Sequence, residues 1–389
     1  MLTQIIHANI VLPDEILYDG CCCLSNGVIR HIGKEPLGDD STVIDAKGAW
    51  LLPGFIDIHC HGGAGHDFMD ASIAEMQSIS QFHLAHGTTT LLATTMTGTW
   101  EEITGALDKL AALMQSNHSL TIHGVHLEGP WLNPRQCGAQ DTSCMDLPST
   151  KKMDALLKQY PFIERISAAP ELPGGLAAGL AGKEKGLVMS VAHTDADFAM
   201  VQQAADHGYT LMTHLYSGMK LTERVDLYRV AGAVEAGLYD DRLYVELIAD
   251  GKHLPDSLLK LIYKCKGTDR ICLITDATRG AGLPEGTNTR LRKCATSSEL
   301  VIEDGVAKLA DRTAFAGSVA TTDRLLRVMH LQAGISLPEV SRMLSAVPAK
   351  VMGYHDRGSI SIGKRADLVL LDPQFSVKSV ILGGEIYES

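Results

Sequence analysis

Between Phe55 and Thr275 the chain repeats one rhythm, a short apolar or β-branched run followed by a segment with helical spacing. The runs lie near Phe55–His59, Thr88–Thr94, Thr121–Leu127, Ile163–Ala168, Leu187–Ala192, Tyr209–Thr213, Tyr244–Ile248 and Ile271–Thr275. Their hydrophobicity is continuous rather than alternating, which predicts strands covered on both faces, as in a parallel sheet flanked by helices. The segment Asp195–His207 illustrates the helices: Thr194 or Asp195 can cap its start, Phe198, Val201 and Ala205 share a face, and Gly208 closes it. Eight such strands with intervening helices predict a TIM-like (β/α)8 barrel of the α/β class. A doubly wound open sheet is the alternative, but it normally carries a glycine-rich phosphate loop early, and this chain has none.

The ends read differently. QIIHANIVL and GVIRHIG near the start, and GSISIGKRADLVLLD and SVKSVILGGEIY near the finish, are short β patterns between turn signals. Either end alone is too small to bury a sheet face. The expectation is therefore a small β-sandwich domain formed by both termini, residues 1–52 and 355–389. The barrel domain, 53–354, lies between them and carries a polar, hairpin-like insertion near 287–309.

Composition then narrows the function. At 389 residues the chain can bury a large core. Its 34 Lys+Arg against 46 Asp+Glu leave a net charge of −12, which argues against general nucleic-acid binding. No apolar stretch approaches the ~18 residues of a membrane span, and the N-terminal segment lacks the features of a signal peptide. The nine Cys show no disulfide-framework spacing and fit a reducing cytoplasm. The 16 His are the unusual count, and several fall where barrel strands end.

Those strand ends are where barrel active sites form. In the first, Asp57-Ile58-His59-Cys60-His61, residues two apart point the same way, so His59 and His61 project together into the mouth as a metal-ligand pair. Asp57 reads as structural. The third ends in His126-Leu127-Glu128, where Glu128 can ligate or bridge metals and His126 sits deeper on the same face. His193 and His214 end the fifth and sixth strands, one strand–helix–strand step apart. Asp250 and His253 follow the seventh and Asp276 the eighth; Asp276 is placed to take a proton from a metal-bound water, whereas Asp250 fits a helix cap better. These residues point to a metal-dependent hydrolase, in which the ion acidifies water and polarises a carbonyl while a carboxylate moves the proton.

Together the motifs PGFIDIHCHGG, HLEGPWLNP, AHTDA, THLYSGM, IADGKHL, LITDA and FAGSVAT, in this order, resemble the amidohydrolase superfamily and within it the N-acetylglucosamine-6-phosphate deacetylases. The resemblance runs over most of the chain. It implies that Glu128, His193 and His214 hold the principal metal, with His59 and His61 matching second-metal ligands of those members that have the pair, so that one or two ions bind per subunit. Zinc is the default ion for such a site, with iron, manganese or cobalt as substitutes. The resemblance further implies Asp276 as catalytic acid/base and His253 as a substrate contact that polarises the acetyl carbonyl. Ala139, the backbone amides of Ser217 and Gly218, and Phe315, Ala316 and Gly317 match substrate-contacting positions. Members are commonly dimers in which a basic side chain of the neighbour reaches the sugar phosphate.

Three departures concern the substrate rather than the metals. Gln140 stands where the family usually has His, so an amide that does not titrate replaces an imidazole. Ser217-Gly218 replaces Asn-Ala in the loop after the sixth strand. The usual arginine segment for phosphate is absent, leaving Arg224 or, preferably, Arg229 for that role. The expected activity is deacetylation of N-acetylglucosamine 6-phosphate. Alternatives are the galactosamine epimer, another amidohydrolase acting on a small N-acyl compound, or an inactive scaffold on the same fold.

Overall fold

Both faces of the central strands are covered, as the continuous apolar runs predict: every residue of Phe55–Cys60 and Thr88–Thr95 is buried. The computed structural model describes residues 2–38, 41–116, 120–293 and 298–388. Its central sheet contains eight parallel strands in simple succession: β1 (Phe55–Cys60), β2 (Thr88–Thr95), β3 (Ile122–Glu128), β4 (Ile163–Ala168), β5 (Val188–Val191), β6 (Tyr209–Met212), β7 (Tyr244–Leu247) and β8 (Ile271–Leu273). A parallel bridge between Cys60 and Ala277 closes β1 against the segment after β8, and Asp276 N donates to His59 O at 2.9 Å across the same seam. The (β/α)8 barrel is present.

Local chemistry explains where its helices begin. Helix Ile73–Ala85 starts at Ser72 and helix Trp100–Gln115 at Thr99, each in a reciprocal box with a glutamate three residues on, Glu75 and Glu102. In the second, Ile103, Ala106, Leu107, Leu110 and Leu113 are the buried stripe that covers the barrel. Helix Phe198–Asp206 starts later than its sequence pattern suggests, and Asp197, not Thr194 or Asp195, caps it by accepting from Met200 N. The reason is tertiary. Thr194 Oγ1 and Asp195 N both donate to Glu171, in the loop after β4, which holds these residues outside the helix.

Strands from both termini join one mixed sheet. Leu2–Val11, Ile16–Ser25, Val28–Gly33, Thr42–Asp45 and Trp50–Pro53 come from the start, and Leu368–Leu371, Val377–Leu382 and Glu385–Glu388 from the end. The ends meet where Trp50–Pro53 pairs antiparallel with Leu368–Leu371. This sheet encloses its own apolar cluster, including Ile5, Ile10, Cys22, Leu24, Ile29, Leu51, Leu368 and Ile381. Other residues of the same strands, Val11, Leu52, Val369 and Leu371, join the barrel core instead. The stretch GSISIGKRA forms no strand of its own: it is tied to the terminal sheet by an isolated bridge between Val28 and Arg365, and the strand begins at Leu368. The insertion after β8 is a three-stranded sheet, Asn288–Arg290, Glu299–Glu303 and Val306–Leu309, larger than a hairpin; 294–297 lie outside the described residues. All described cysteines are free. Among the described residues no helix is long and apolar enough to cross a membrane.

Candidate active site

The mouth of the barrel holds a cavity of about 230 Å³ lined by His61, Glu128, His193, His214, His253 and Asp276, with Ala139, Gln140, Ser217, Gly218, Phe315 and Gly317 at its other walls. Each charged or imidazole side chain stands at the C-terminal end of a barrel strand or in the loop that follows it, so six of the eight strands (β1, β3, β5, β6, β7 and β8) deliver one cluster. Three of these residues have positive φ: His193 at 42°, His214 at 29° and Asp276 at 47°. A non-glycine residue rarely adopts that conformation, and here it turns each side chain inward at the moment the strand ends.

Glu128 is the hub. Its Oε1 lies 2.9 Å from His214 Nε2 and 3.5 Å from both His59 Nε2 and His193 Nε2. Its Oε2 lies 3.2 Å from His61 Nε2. The nitrogens of His59 and His61 approach to 3.2 Å, and Asp276 Oδ1 lies 3.4 and 3.2 Å from them. Two ligand groups result, His59–His61–Glu128 and Glu128–His193–His214, with the glutamate common to both. This donor set suits a divalent ion with nitrogen and oxygen preference, and the shared carboxylate fits a bridge.

The electrostatics are those of a cation site. Burial alone would lower the His59 pKa, yet Glu128 and Asp276 raise it to about 9. His61 and His193 are raised against burial by the same carboxylates. Burial would raise Glu128 and Asp276, but the surrounding imidazoles hold both below the usual carboxylate range. His126 is excluded from the cluster. Its Nε2 meets Ser167 Oγ at 2.7 Å, its ring packs edge-on against His59, and burial with Arg165 nearby pushes its pKa far down.

Hydrogen bonds fix the remaining side chains. His193 Nδ1 lies 2.7 Å from Gln136 O, which directs Nε2 at Glu128. Gly218 permits that bond: at φ +57°, an added Cβ would sit 2.7 Å from His193 Nδ1 and 2.9 Å from Gln136 O. His253 Nδ1 lies 2.9 Å from Asp250 Oδ2, and its ring packs against Phe315. Asp250 also accepts from the amides of Lys252 and His253. It therefore braces the His253 loop and caps no helix, since Pro255 precedes helix Asp256–Lys266. Asp57 is structural, accepting from Thr275 N and Oγ1 and so fastening β1 to the end of β8.

Several positions implied by the resemblance fall elsewhere or are otherwise engaged. Gln140 is committed at both ends, accepting from Thr97 N and donating to Glu128 Oε2, each at 2.8 Å. It serves the shared carboxylate more directly than a sugar. Ser217 N donates to His214 O at 2.9 Å, so this amide closes a turn instead of facing ligand. Ala316 is buried behind the wall that Phe315 and Gly317 form. Arg224 and Arg229 face each other across the exposed hairpin Glu223–Val225/Tyr228–Val230 and do not line the cavity. No lysine or arginine is among the described residues that do. Sequence reasoning missed Arg165 and Glu246, which lie beneath the cluster. The available signal was a charged residue within a strand buried on both faces, which must have a partner.

Residues 50–387 match the Amidohydrolase family. The chain is 32% identical over 368 residues to an N-acetylglucosamine-6-phosphate deacetylase of Lysinibacillus sphaericus, covering 93% of this chain and 92% of that one. It is also 32% identical to an N-acetylgalactosamine-6-phosphate deacetylase of Escherichia coli O157:H7, covering 99% of both. Among solved structures, a variant N-acetyl-D-glucosamine-6-phosphate deacetylase of Mycobacterium smegmatis in complex with N-acetyl-D-glucosamine-6-phosphate matches with a TM-score of 0.90 at 30% identity. That match covers 100% of this chain and 99% of the other.

Proposed function

The chain belongs to the amidohydrolase family, and from that membership we propose that it hydrolyses the acetamide of N-acetylglucosamine 6-phosphate to glucosamine 6-phosphate and acetate. The observation that carries this reading is the convergence of Glu128, four histidines and Asp276 at one end of a single cavity. Its substrate comes from the names of the relatives and from the ligand of the Mycobacterium structure. A second reading, the galactosamine 6-phosphate epimer, is supported by the equal identity to the Escherichia coli relative.

Glu128, His193 and His214 would hold one divalent ion, and His59 and His61 with Glu128 a second. Zinc is our assignment for this mixed imidazole and carboxylate set. A bound ion supplies Lewis acidity, polarising the acetamide carbonyl and making water acidic enough to attack near neutral pH. Asp276 performs the proton transfers. Its lowered pKa keeps it ionised, so it first accepts the proton of the attacking water and then gives it to the departing amine. His253 is held by Asp250 through Nδ1, leaving Nε2 for the substrate. Nε2 donates to the developing oxyanion when the ring carries both protons and accepts from a sugar hydroxyl when it carries one.

The phosphate needs a cation, and no lysine or arginine is among the described residues that line the cavity. We assign it to a homodimer in which Arg229 or Arg224 reaches the neighbouring subunit's cavity. Leu227 and Tyr228, 76% and 77% exposed at the tip of the same hairpin, support a covered surface there. A cytoplasmic setting agrees with the free cysteines.

The test is acetate release from N-acetylglucosamine, N-acetylgalactosamine and N-acetylmannosamine, each with and without 6-phosphate. The reading expects N-acetylglucosamine 6-phosphate to be the best substrate. Equal rates without phosphate would remove the arginine assignment, and no acetate from any sugar would overturn the function.

A further inference from the structure

Directly beneath the metal-ligand cluster lies a charged pair that the chemistry above does not use. Arg165 on β4 and Glu246 on β7 are both wholly buried and form an ion pair inside the barrel. Replacing such a pair with apolar residues is often neutral or stabilising, so stability gives a poor account of why it is there. Its hydrogen bonds give a better one.

Every nitrogen of the Arg165 side chain is committed. Nε donates to Ser190 Oγ at 2.9 Å, one terminal nitrogen to Ile58 O at 3.0 Å and to Glu246, and the other to Thr213 Oγ1 at 3.0 Å. The guanidinium therefore clamps β1, β5, β7 and the residue that follows β6. Its planar fork suits that task as a lysine would not. One carboxylate oxygen of Glu246 belongs to this clamp. The other, Oε2, points up at the cluster, 3.3 Å from His59 Nδ1 and 3.2 Å from the backbone N of His214.

Those two contacts reach both ligand groups. On His59, a carboxylate at Nδ1 places the proton there and leaves the Nε2 lone pair turned toward His61, Glu128 and Asp276. On His214, the bond holds the amide of a residue whose φ of 29° needs outside support. The structure assigns Glu246, clamped by Arg165, as the positioning residue that sets the tautomer of His59 and the backbone of His214, and thereby tunes both metal sites from below. This rests on the reading that the cluster holds metal.

Glu246→Gln tests it with little change of shape. Its amide keeps an oxygen for Arg165 and turns a donor toward His59 Nδ1 and His214 N, which are themselves donors. The measurements are zinc stoichiometry and affinity by competition with a chromophoric chelator, together with melting of the chelator-treated proteins. Wild type is expected to take up two zinc ions. E246Q is expected to melt within a few degrees of wild type without metal, yet to bind zinc about tenfold to a hundredfold more weakly, losing the His59–His61 ion first. If E246Q fails to fold, the double variant Arg165→Met/Glu246→Leu removes both charges and is expected to show the same loss of zinc affinity. Wild-type zinc affinity in a folded variant overturns the inference and leaves the proposed function standing. A wild-type protein that takes up no zinc overturns both.

Discussion

The two ends of the cavity are built on different plans. At the metal end, Glu128, four histidines and Asp276 lie within 3.5 Å of one another in overlapping pairs, and His59, His193 and Glu128 are each held again by Glu246, Gln136 or Gln140. The wall we read as the sugar end is Ala139, Phe315 and Gly317, with no lysine or arginine among the described lining residues. One end is over-determined by a single chain, whereas the other has no cation of its own among the described lining residues, and we assign that role to the exposed hairpin. Chemistry of this kind needs ångström-level placement, which strand ends provide, while recognition of a phosphate can be supplied from a movable edge.

That contrast predicts different kinetic signatures. The largest effect belongs to Asp276→Asn, which should retain zinc and KM while kcat falls about a hundredfold to ten-thousandfold. Near-normal turnover would remove Asp276 from the proton transfers. Next is Gly218→Ala, whose Cβ would press on His193 Nδ1 and Gln136 O. Zinc affinity should fall about tenfold to a hundredfold, measured by chelator competition; unchanged affinity would show that the His193 contact can be lost freely. At the sugar end, Arg229→Ala should raise KM for the 6-phosphate about tenfold or more and leave the unphosphorylated sugar unaffected. If Arg224→Ala gives that split instead, the assignment passes to the cross-strand partner of Arg229. The smallest effect on chemistry is expected from Leu227→Asp, read by sedimentation: it should shift dimer toward monomer, with kcat changed less than KM.

The same contrast explains what was legible in the sequence. Strand β4 begins and ends where its apolar run does, and the two-residue period that joins His59 to His61 places both nitrogens in the cluster. Glu128, His193, His214 and Asp276 are readable because a strand end is a local signal. The start of helix Phe198–Asp206 was not, because Glu171, distant in sequence, decides it. Gln140 shows the limit most clearly. A family position suggests a sugar contact, but Thr97 N and Glu128 occupy both ends of the amide, and nothing local to CGAQD announces either partner. Arg165 and Glu246 were visible as charges in buried strands, yet their pairing spans the barrel interior.

On this reading the histidine–glutamate cluster is the working site of a metal-dependent deacetylase. Its most direct test is acetate release from N-acetylglucosamine 6-phosphate by metal-stripped protein as zinc is returned in measured equivalents. Release is expected to be negligible without metal and to rise in step with bound zinc, saturating when both ligand groups are filled. Full activity in protein shown to contain no metal would contradict it.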